Sequence, residues 1–321
     1  MKVVVIALSI FYLIANASDL ASIYRTNGLK SVEQEIEQIL AQKSYWIDKL
    51  KDLNTDYGYY ESVEYLLKCN KSNPDLQLYK RVDKNGFEKQ TTISALIGKN
   101  PGDKFKEGDK KTPVGIYRLN KKLTSLDQFY GPLAYVTNYP NTFDKIRGKN
   151  GSGIWIHGLP LDGKRESATK GCIAINNEKL KSLEKSFNFK NSRLIINENE
   201  DKMITQDEIA TILSSLFAWK NAWKYDNLDE YLSFYNENFK HSNGKNLDKF
   251  KKYKKRVFAQ KQNKTIRFSN ITVMPYPSKL ENGLFLIEFD ELYKSNRTHF
   301  KGLKELYVTL VDNKFSILTE K

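Results

Sequence analysis

The first part of the chain has apolar residues at helical spacing. Between residues 31 and 68 they recur three or four positions apart, which predicts two amphipathic helices with a break at 54–58. A Ser-Asn-Pro-Asp sequence at 72–75 has turn composition and ends this pattern. The sequence therefore predicts an N-terminal helical segment over residues 18–73.

From residue 76 onward the apolar positions alternate with polar ones, as they do in strands. Residues 76–82 alternate and 83–86 have the composition of a hairpin turn. Gly, Pro and Asn separate the short β-rich runs that follow. These runs lie at 114–119, 134–139, 154–157 and 193–196. The pattern predicts a mostly-β domain over residues 74–198, with few long helices.

The last third of the chain combines helical and strand patterns. Thr205 and Glu208 have the spacing of a capping box, which predicts a helix that continues to about Tyr225. A second helix is predicted at 228–239, and Asp312-Asn313 is a tight-hairpin signal. Strands are predicted at 265–276, 284–293, 301–311 and 314–319. This is an α+β domain over residues 204–321, so the whole chain is predicted to be an α+β multidomain protein.

A short apolar run opens the chain. Lys2 supplies a positive charge, residues 3–14 are largely apolar, and Ala-Asn-Ala at 15–17 matches a small-x-small cleavage site. The run is shorter than the about 20 apolar residues that a membrane-spanning helix needs. We therefore expect a cleaved signal peptide over residues 1–17 and export of the protein, with a retained N-terminal anchor as the alternative.

Charge narrows the classes of partner. The chain has 52 Lys and Arg residues against 38 Asp and Glu residues, a formal net charge of +14, which favours anionic partners such as wall polymer or a membrane surface. Export argues against nucleic acid. The run from Lys245 to Arg256 holds seven basic residues and one acid. Such a run is typical of a solvated helix face or loop, and contact with anionic wall polymer or lipid headgroups is the alternative.

Cysteine and histidine are scarce. The chain has two cysteines and three histidines, which argues against a disulfide scaffold and against a multi-histidine metal site. We therefore predict neither a metal nor a cofactor. The sequence leaves the oligomeric state open.

One segment has the residues for thiol catalysis. Such catalysis needs a thiolate, a base that takes and returns its proton, and donors for the oxyanion. His157 lies 15 residues before Cys172 at the end of an apolar strand, whereas His241 and His299 lie in the other predicted domain. An imidazole beside the thiol can take its proton and leave a thiolate–imidazolium pair. We predict Cys172 as the nucleophile and His157 as the base.

Two glycines complete the predicted catalytic group. Gly171 has no Cβ and lets the backbone approach a substrate closely. The N–H groups of Gly171 and Cys172 are therefore candidate oxyanion donors. No acidic residue stands where it would orient His157, so the Gly158 carbonyl is the candidate for that role.

Several motifs together resemble the YkuD-type L,D-transpeptidase family. The His-x14-Cys spacing, with Thr-Lys-Gly-Cys-Ile at 169–173, resembles the active-site signature of that family. Lys-Thr-Pro-Val-Gly-Ile-Tyr at 111–117 and Tyr-Pro-Asn at 139–141 follow the family order. The resemblance covers about residues 76–197. It implies a YkuD-like fold, a thiol mechanism and peptidoglycan stem peptides as substrate.

The C-terminal part extends the resemblance. Its Phe-Ala-Trp-Lys-Asn-Ala-Trp sequence at 217–223 and the aromatic residues that follow resemble the NTF2-like class. The whole arrangement resembles the cell-shape-determining L,D-carboxypeptidases of Campylobacter and Helicobacter relatives. This resemblance implies a periplasmic enzyme that trims the terminal D-Ala from tetrapeptide stems. An L,D-transpeptidase that forms cross-links or exchanges D-amino acids, and a catalytically silent wall-binding scaffold, remain as alternatives.

Five positions near the motif are candidates for substrate binding. Members of the family usually have His where Lys170 stands and often have Arg where Ala174 stands, so Lys170 could instead pair with a substrate carboxylate. Trp155 lies two residues before His157, so on a strand both side chains face the same way. This placement fits a role in packing beneath the imidazole as well as it fits contact with substrate. Thr169 belongs to the signature. Tyr139 is a further candidate, with a turn role as the alternative.

Cys69 allows one competing interpretation of the nucleophile. An exported chain meets oxidants, so Cys69 and Cys172 could form a structural disulfide. Cys69 follows an apolar run, which suits a buried and inert thiol. Catalysis is favoured, because only catalysis accounts for Gly171 and His157 together.

Overall fold

The computed structural model describes residues 19–83, 86–164, 167–198, 203–278 and 283–321. The predicted signal peptide at 1–17 and the middle of the predicted turn at 83–86 lie outside these ranges. Residues 19–27 are helical. The further helices are α1 (Leu29–Leu40), α2 (Lys43–Leu50), α3 (Thr142–Ile146), α4 (Asn177–Ser186), α5 (Gln206–Lys224), α6 (Leu228–Ser233) and α7 (Leu247–Phe258).

Fourteen strands with described bounds form two sheets. The strands are β1 (Tyr59–Tyr60), β2 (Tyr65–Asn70), β3 (Asp75–Arg81), β4 (Phe87–Leu96), β5 (Gly115–Tyr117), β6 (Leu119–Leu123), β7 (Ala134–Thr137), β8 (Trp155–His157), β9 (Ile173–Ile175), β10 (Ser192–Asn197), β11 (Thr265–Pro275), β12 (Leu284–Lys294), β13 (His299–Val311) and β14 (Lys314–Glu320).

The first sheet has nine strands in the order β5-β10-β2-β3-β4-β9-β8-β7-β6. Every β-rich run predicted between residues 76 and 196 contributes to it. Strands β8 and β9 pair in parallel, with His157 beside Ala174. Because Cys172 immediately precedes β9, this pairing brings it to the neighbourhood of β8.

The sequence predicts a second N-terminal helix from residue 59 onward, and this prediction is wrong. Residues Tyr65–Asn70 form β2, which lies inside the nine-stranded sheet. Leu66 and Leu67 are fully buried in two different cores, one on each face of the strand. A strand buried on both faces is apolar throughout, and periodicity alone does not distinguish it from a buried helix. The sheet therefore begins before residue 74, the boundary that the sequence predicts.

The second sheet is antiparallel, with the order β1-β11-β12-β13-β14, and α5 packs against it. The capping box of Thr205 and Glu208 starts α5 as predicted. Asp312 and Asn313 have φ values of 50° and 58°, the left-handed conformation that a tight two-residue hairpin requires. The helix predicted at 228–239 is shorter than expected, because α6 ends at Ser233.

The N-terminal helices belong to this second unit. The ring of Trp46 stacks on that of Phe217 from α5, with the centroids 5.5 Å apart. Glu37 of α1 is buried and forms ion pairs with Lys220 at 3.2 Å and Lys224 at 2.8 Å. Strand β1 then adds to the edge strand β11. Residues 29–60 of the predicted helical segment therefore complete the C-terminal unit.

The basic run between Lys245 and Arg256 lies largely in α7. Phe250 and Phe258 bury one side of this helix, while most of its lysines are exposed. The run is thus a solvated helix face, as its composition predicts. Within α7, Lys254 is half-buried, and its ammonium lies 4.9 Å from the centre of the Tyr231 ring.

Buried ion pairs join the two sheets. Glu288 on β12 accepts from Arg118 and from Arg193, each at 2.6 Å. Arg118 also contacts Glu305 on β13 at 2.6 Å. The two glutamate side chains are 4% exposed. A third core contains residues of both sheets, among them Ile195 and Tyr307, so the units share apolar packing as well as charge.

Candidate active site

A cavity of about 500 Å³ opens where β8 and β9 pair. Cys172, His157 and Gly158 contribute to its wall, together with a loop that follows β4. The parallel pairing of two short strands places the base and the thiol in the same cavity although they are 15 residues apart in sequence. The structure thus brings together the two residues that the sequence predicts as base and nucleophile.

His157 is held in one tautomer. Its side chain is buried, and its Nδ1 lies 2.6 Å from the carbonyl oxygen of Gly158. Because a carbonyl can only accept, we assign the proton to Nδ1, which leaves Nε2 with its lone pair. Burial lowers the pKa of His157, and the Gly158 carbonyl partly offsets this. The imidazole is therefore neutral near pH 7 and able to take a proton.

The backbone around Gly158 is tightly fixed. A Cβ on this residue would lie 2.2 Å from Oδ1 of Asn177. Asn177 also accepts from the N–H of Leu159 at 2.8 Å and donates to its carbonyl at 3.0 Å. Helix α4, which begins at Asn177, thereby anchors the peptide whose carbonyl contacts His157.

The Cys172 thiol interacts with backbone groups. It donates to the carbonyl of Gly153 at 3.2 Å. Burial raises the pKa of the Cys172 thiol, whereas the Trp155 N–H and the charge of Lys104 lower it. Within the part of the chain that the structure describes, the imidazole is not among the hydrogen-bond partners of the sulfur. The directions of the two pKa shifts favour a neutral thiol and a neutral imidazole at rest over a thiolate–imidazolium pair.

The disulfide alternative is wrong. Both cysteines are free, and Cys69 is fully buried on β2. Burial raises the pKa of Cys69 to about 12, so this thiol is inert at physiological pH. Cys172 is the thiol that faces the cavity.

We expect alkylation of Cys172 to follow its raised pKa. The rate of reaction with iodoacetamide should rise through pH 8 to 9 without a plateau near neutrality, because the reactive thiolate forms only as pH approaches the pKa. Mass spectrometry of the peptide that contains Cys172 measures the rate, and a Cys172→Ala variant controls for Cys69. A plateau below pH 7 would instead indicate a preformed thiolate–imidazolium pair.

The backbone conformation and the close packing at position 171 require a glycine. Its φ is +135°, and a Cβ would lie 2.7 Å from the carbonyl oxygen of Lys111. Its N–H donates to Oγ1 of Thr169 at 3.0 Å, and this hydroxyl donates in turn to the Cys172 carbonyl at 2.7 Å. The prediction of Gly171 N–H as an oxyanion donor is therefore corrected, because that donor already has an acceptor. The Cys172 N–H remains the candidate.

The predicted substrate-binding residues separate into two groups. Thr169, Lys170 and Ala174 line the cavity. The Trp155 ring lies 5.0 Å from that of Tyr130, which in turn meets the His157 ring edge-on at 5.2 Å. Trp155 therefore takes part in the aromatic packing that supports the imidazole.

Tyr139 does not reach the cavity. It is buried in the core of the first sheet, and its hydroxyl donates to the carbonyl of Asn150 at 3.1 Å. The prediction that Tyr139 contacts substrate is wrong, because the turn points its side chain inward. Its role is to pack the segment that precedes α3.

Tyr130 and Lys104 are among the residues of the cavity wall that the sequence did not predict. Tyr130 ends a short 3-10 turn (Gln128–Tyr130) and contacts His157, and Lys104 lies in the loop between β4 and β5. Both come from irregular segments, so no apolar period marks them. The Gly-Pro sequence after Tyr130 signals a turn but not the side on which the ring lies.

Within the described ranges, no three His, Cys, Asp or Glu side chains lie close enough to hold a metal ion. In the same ranges, every helix is too short or too polar to cross a membrane.

The nine-stranded sheet and the cavity between β8 and β9 define an L,D-transpeptidase-type catalytic domain joined to an α+β domain. The model of the YkuD family, the L,D-transpeptidase catalytic domain, matches residues 64–186. The model of the Cds6 C-terminal NTF2-like domain matches residues 211–321. The chain belongs to the YkuD family of L,D-transpeptidase-domain proteins that carry this C-terminal domain, which confirms the predicted family and fold class.

Solved structures of similar proteins support this assignment over most of the chain. The helical cell shape determining protein Pgp2 from Campylobacter jejuni is 39% identical, with a TM-score of 0.81 over 88% of this chain and 99% of that chain. A variant of Pgp2 matches at 38% identity with a TM-score of 0.83. Bd1075 of Bdellovibrio bacteriovorus is 26% identical, with a TM-score of 0.64 over 84% of this chain and 96% of that chain. No curated protein matches significantly.

Proposed function

We propose that this protein is an L,D-carboxypeptidase of peptidoglycan that removes the terminal D-Ala from tetrapeptide stems through a Cys172 acyl-enzyme. The observation that carries the proposal is the cavity lined by the buried His157, at the end of β8, and by Cys172, which immediately precedes the parallel strand β9. The name of Pgp2 as a helical cell shape determinant supports a role in the cell wall. Cell shape is the expected phenotype.

The chemistry needs one proton transfer before attack. Nε2 of His157 takes the proton of the Cys172 thiol, and the sulfur attacks the carbonyl carbon of the bond between diaminopimelate and D-Ala. The C–N bond breaks, the imidazolium returns its proton to the leaving amine, and a thioester remains. His157 then takes a proton from water as the water oxygen attacks the thioester carbon, the C–S bond breaks, and the proton returns to the sulfur as the tripeptide stem leaves as a carboxylate. The N–H of Cys172 is the proposed donor to the oxyanion.

The charge of the cavity wall suits a substrate with carboxylates. Lys104, Lys110 and Lys170 line the cavity, with Glu107 as an acidic neighbour. Stem peptides carry a terminal carboxylate and, at the diaminopimelate, both an amine and a carboxylate. We propose that the exposed Lys110 and Lys170 bind these carboxylates.

The products of a muropeptide digest test the proposal. Purified protein incubated with tetrapeptide muropeptides is expected to give tripeptide muropeptides and one free D-Ala for each stem, because water reaches the thioester. Chromatography with mass spectrometry measures both products. Cross-linked dimers or exchanged D-amino acids would assign the protein as an L,D-transpeptidase instead. The absence of any product with a folded protein would favour a wall-binding scaffold.

The expected location is the periplasm. The apolar run at 1–17 would direct export, although it lies outside the described residues. The exposed basic face of α7 is the proposed contact with anionic wall polymer or with lipid headgroups.

A further inference from the structure

A buried ion pair lies in the cavity wall close to the nucleophile. Lys104 is 3% exposed, and its ammonium lies 2.8 Å from Oδ1 of Asp109 and 3.0 Å from the carbonyl of Lys106. Lys104 lines the cavity, whereas Asp109 lies outside its wall. Lys104 and Cys172 therefore share one cavity, and the charge of Lys104 lowers the pKa of the Cys172 thiol.

The backbone holds Asp109 in place. Its carboxylate accepts from the N–H groups of Phe105 at 2.8 Å, Lys106 at 3.0 Å and Lys111 at 3.1 Å. Burial alone would raise the pKa of Asp109, but the Lys104 ammonium and these N–H groups hold it well below its usual range. The carboxylate thus stays charged and keeps the ammonium fixed.

The same loop is tied to the partner of the thiol. The N–H of Glu107 donates to Oδ1 of Asn150 at 2.8 Å, and the N–H of Asn150 donates to the carbonyl of Phe105 at 3.0 Å. Asn150 lies three residues before Gly153, whose carbonyl accepts from the Cys172 thiol. The loop, the ion pair and the nucleophile therefore form one connected unit.

Other ionisable groups around the cavity are less suited to stabilise a thiolate. The titratable side chains on its wall besides the thiol are, among the described residues, Lys104, Glu107, Lys110, Tyr130, His157 and Lys170. His157 is neutral at rest, and Glu107, Lys110 and Lys170 are exposed, so water and salt screen their charges. Lys104 is the buried cation in this group, and a buried charge is screened much less.

We propose that Lys104 is a positioning residue that acts through Cys172: it holds a fixed positive charge toward the sulfur and stabilises the thiolate when His157 removes the proton. In this step the S–H bond breaks and an N–H bond forms at Nε2, with no change in oxidation state. The inference rests on the proposed thiol mechanism. It gives the loop after β4 a role in the reactivity of the Cys172 thiol as well as in forming the cavity wall.

Two variants with opposite charge effects test the proposal. Asp109→Asn keeps the ammonium and removes the carboxylate, so the thiol pKa should fall and iodoacetamide should react faster. Lys104→Met combined with Asp109→Asn removes both charges, so the pKa should rise and alkylation should slow. A separation of one pKa unit between the variants corresponds to about tenfold in thiolate fraction below the pKa. The measurement is the pH profile of Cys172 alkylation on the full chain.

Because the two variants should shift the pKa of the Cys172 thiol in opposite directions, the experiment distinguishes an effect of charge from structural damage to the loop. A purely structural role would shift both variants the same way, and that result, or two unchanged profiles, would overturn the proposal. The exposed pair of Lys122 and Glu184, replaced by Met and Gln, is the matched control and should leave the profile unchanged. If the double variant does not fold, Asp109→Asn must still react faster and Lys104→Arg must stay within about twofold of the parent. Because no substrate is used, the outcome is independent of whether muropeptides are cleaved.

Discussion

Replacement of Cys172 by Ala is expected to abolish D-Ala release, with a fall in rate of at least about a thousandfold. Without the sulfur no thioester forms. Substrate binding and the backbone donor to the oxyanion retain little of the catalysis on their own. The substitution removes one atom beside the cavity, so the free energy of unfolding should change little. The rate is measured as free D-Ala from tetrapeptide muropeptides, with thermal unfolding as the check on folding.

Cys69 supplies the matched control. Cys69→Ala removes a sulfur atom from the buried core on one face of β2, so it should lower the free energy of unfolding while leaving the rate of D-Ala release close to that of the parent.

In cells, the Cys172→Ala variant should lose the effect of the protein on cell shape. A Cys172→Ala protein that kept this effect would act as a scaffold, and the proposed enzyme would have to be abandoned.

Replacement of Glu288 by Ala is expected to destabilise the protein by about 3–5 kcal/mol. This carboxylate contacts Arg118 and Arg193, each at 2.6 Å, and is 4% exposed. Its loss leaves Arg193 without this buried counter-charge and leaves Arg118 with Glu305 alone. Urea unfolding monitored by tryptophan fluorescence measures the change.

Glu184 is the control for an ion pair of ordinary strength. It contacts Lys122 at 2.6 Å, but the two side chains are 30% and 36% exposed. Solvent screens such a pair, so Glu184→Ala should change the free energy of unfolding by less than about 1 kcal/mol. If the two substitutions lowered the free energy of unfolding equally, the ion-pair network between the sheets would contribute no more stability than a surface ion pair does.

Features governed by local chemistry were predictable from the sequence. The capping box at Thr205 and the hairpin at Asp312 depend on neighbouring residues only, and both form where the sequence predicts them. His157 and Cys172 were found because their motif has fixed spacing. Their meeting in space depends on the parallel pairing of β8 and β9, which the spacing does not specify.

Features that depend on distant parts of the chain were not predictable. The sequence predicts a helix where β2 forms, because the burial of this strand on both faces depends on the sheet and on the C-terminal unit together. Lys104 was missed because an ion pair with Asp109, and not a sequence period, keeps it in the wall. Gly171 was recognised, but the reason for it is the carbonyl of Lys111, 60 residues away in sequence.

The packing of α1 and α2 on α5 bears on the order in which the molecule assembles. Trp46 leaves the ribosome more than 150 residues before Phe217, the ring on which it stacks. Strand β1 waits longer still, until β11 has been made. Until then these early residues have apolar surface with no partner, which is the state in which chains aggregate. Folding of the second unit is therefore a late event, and a chaperone that shields residues 29–60 during synthesis would raise the yield of native protein.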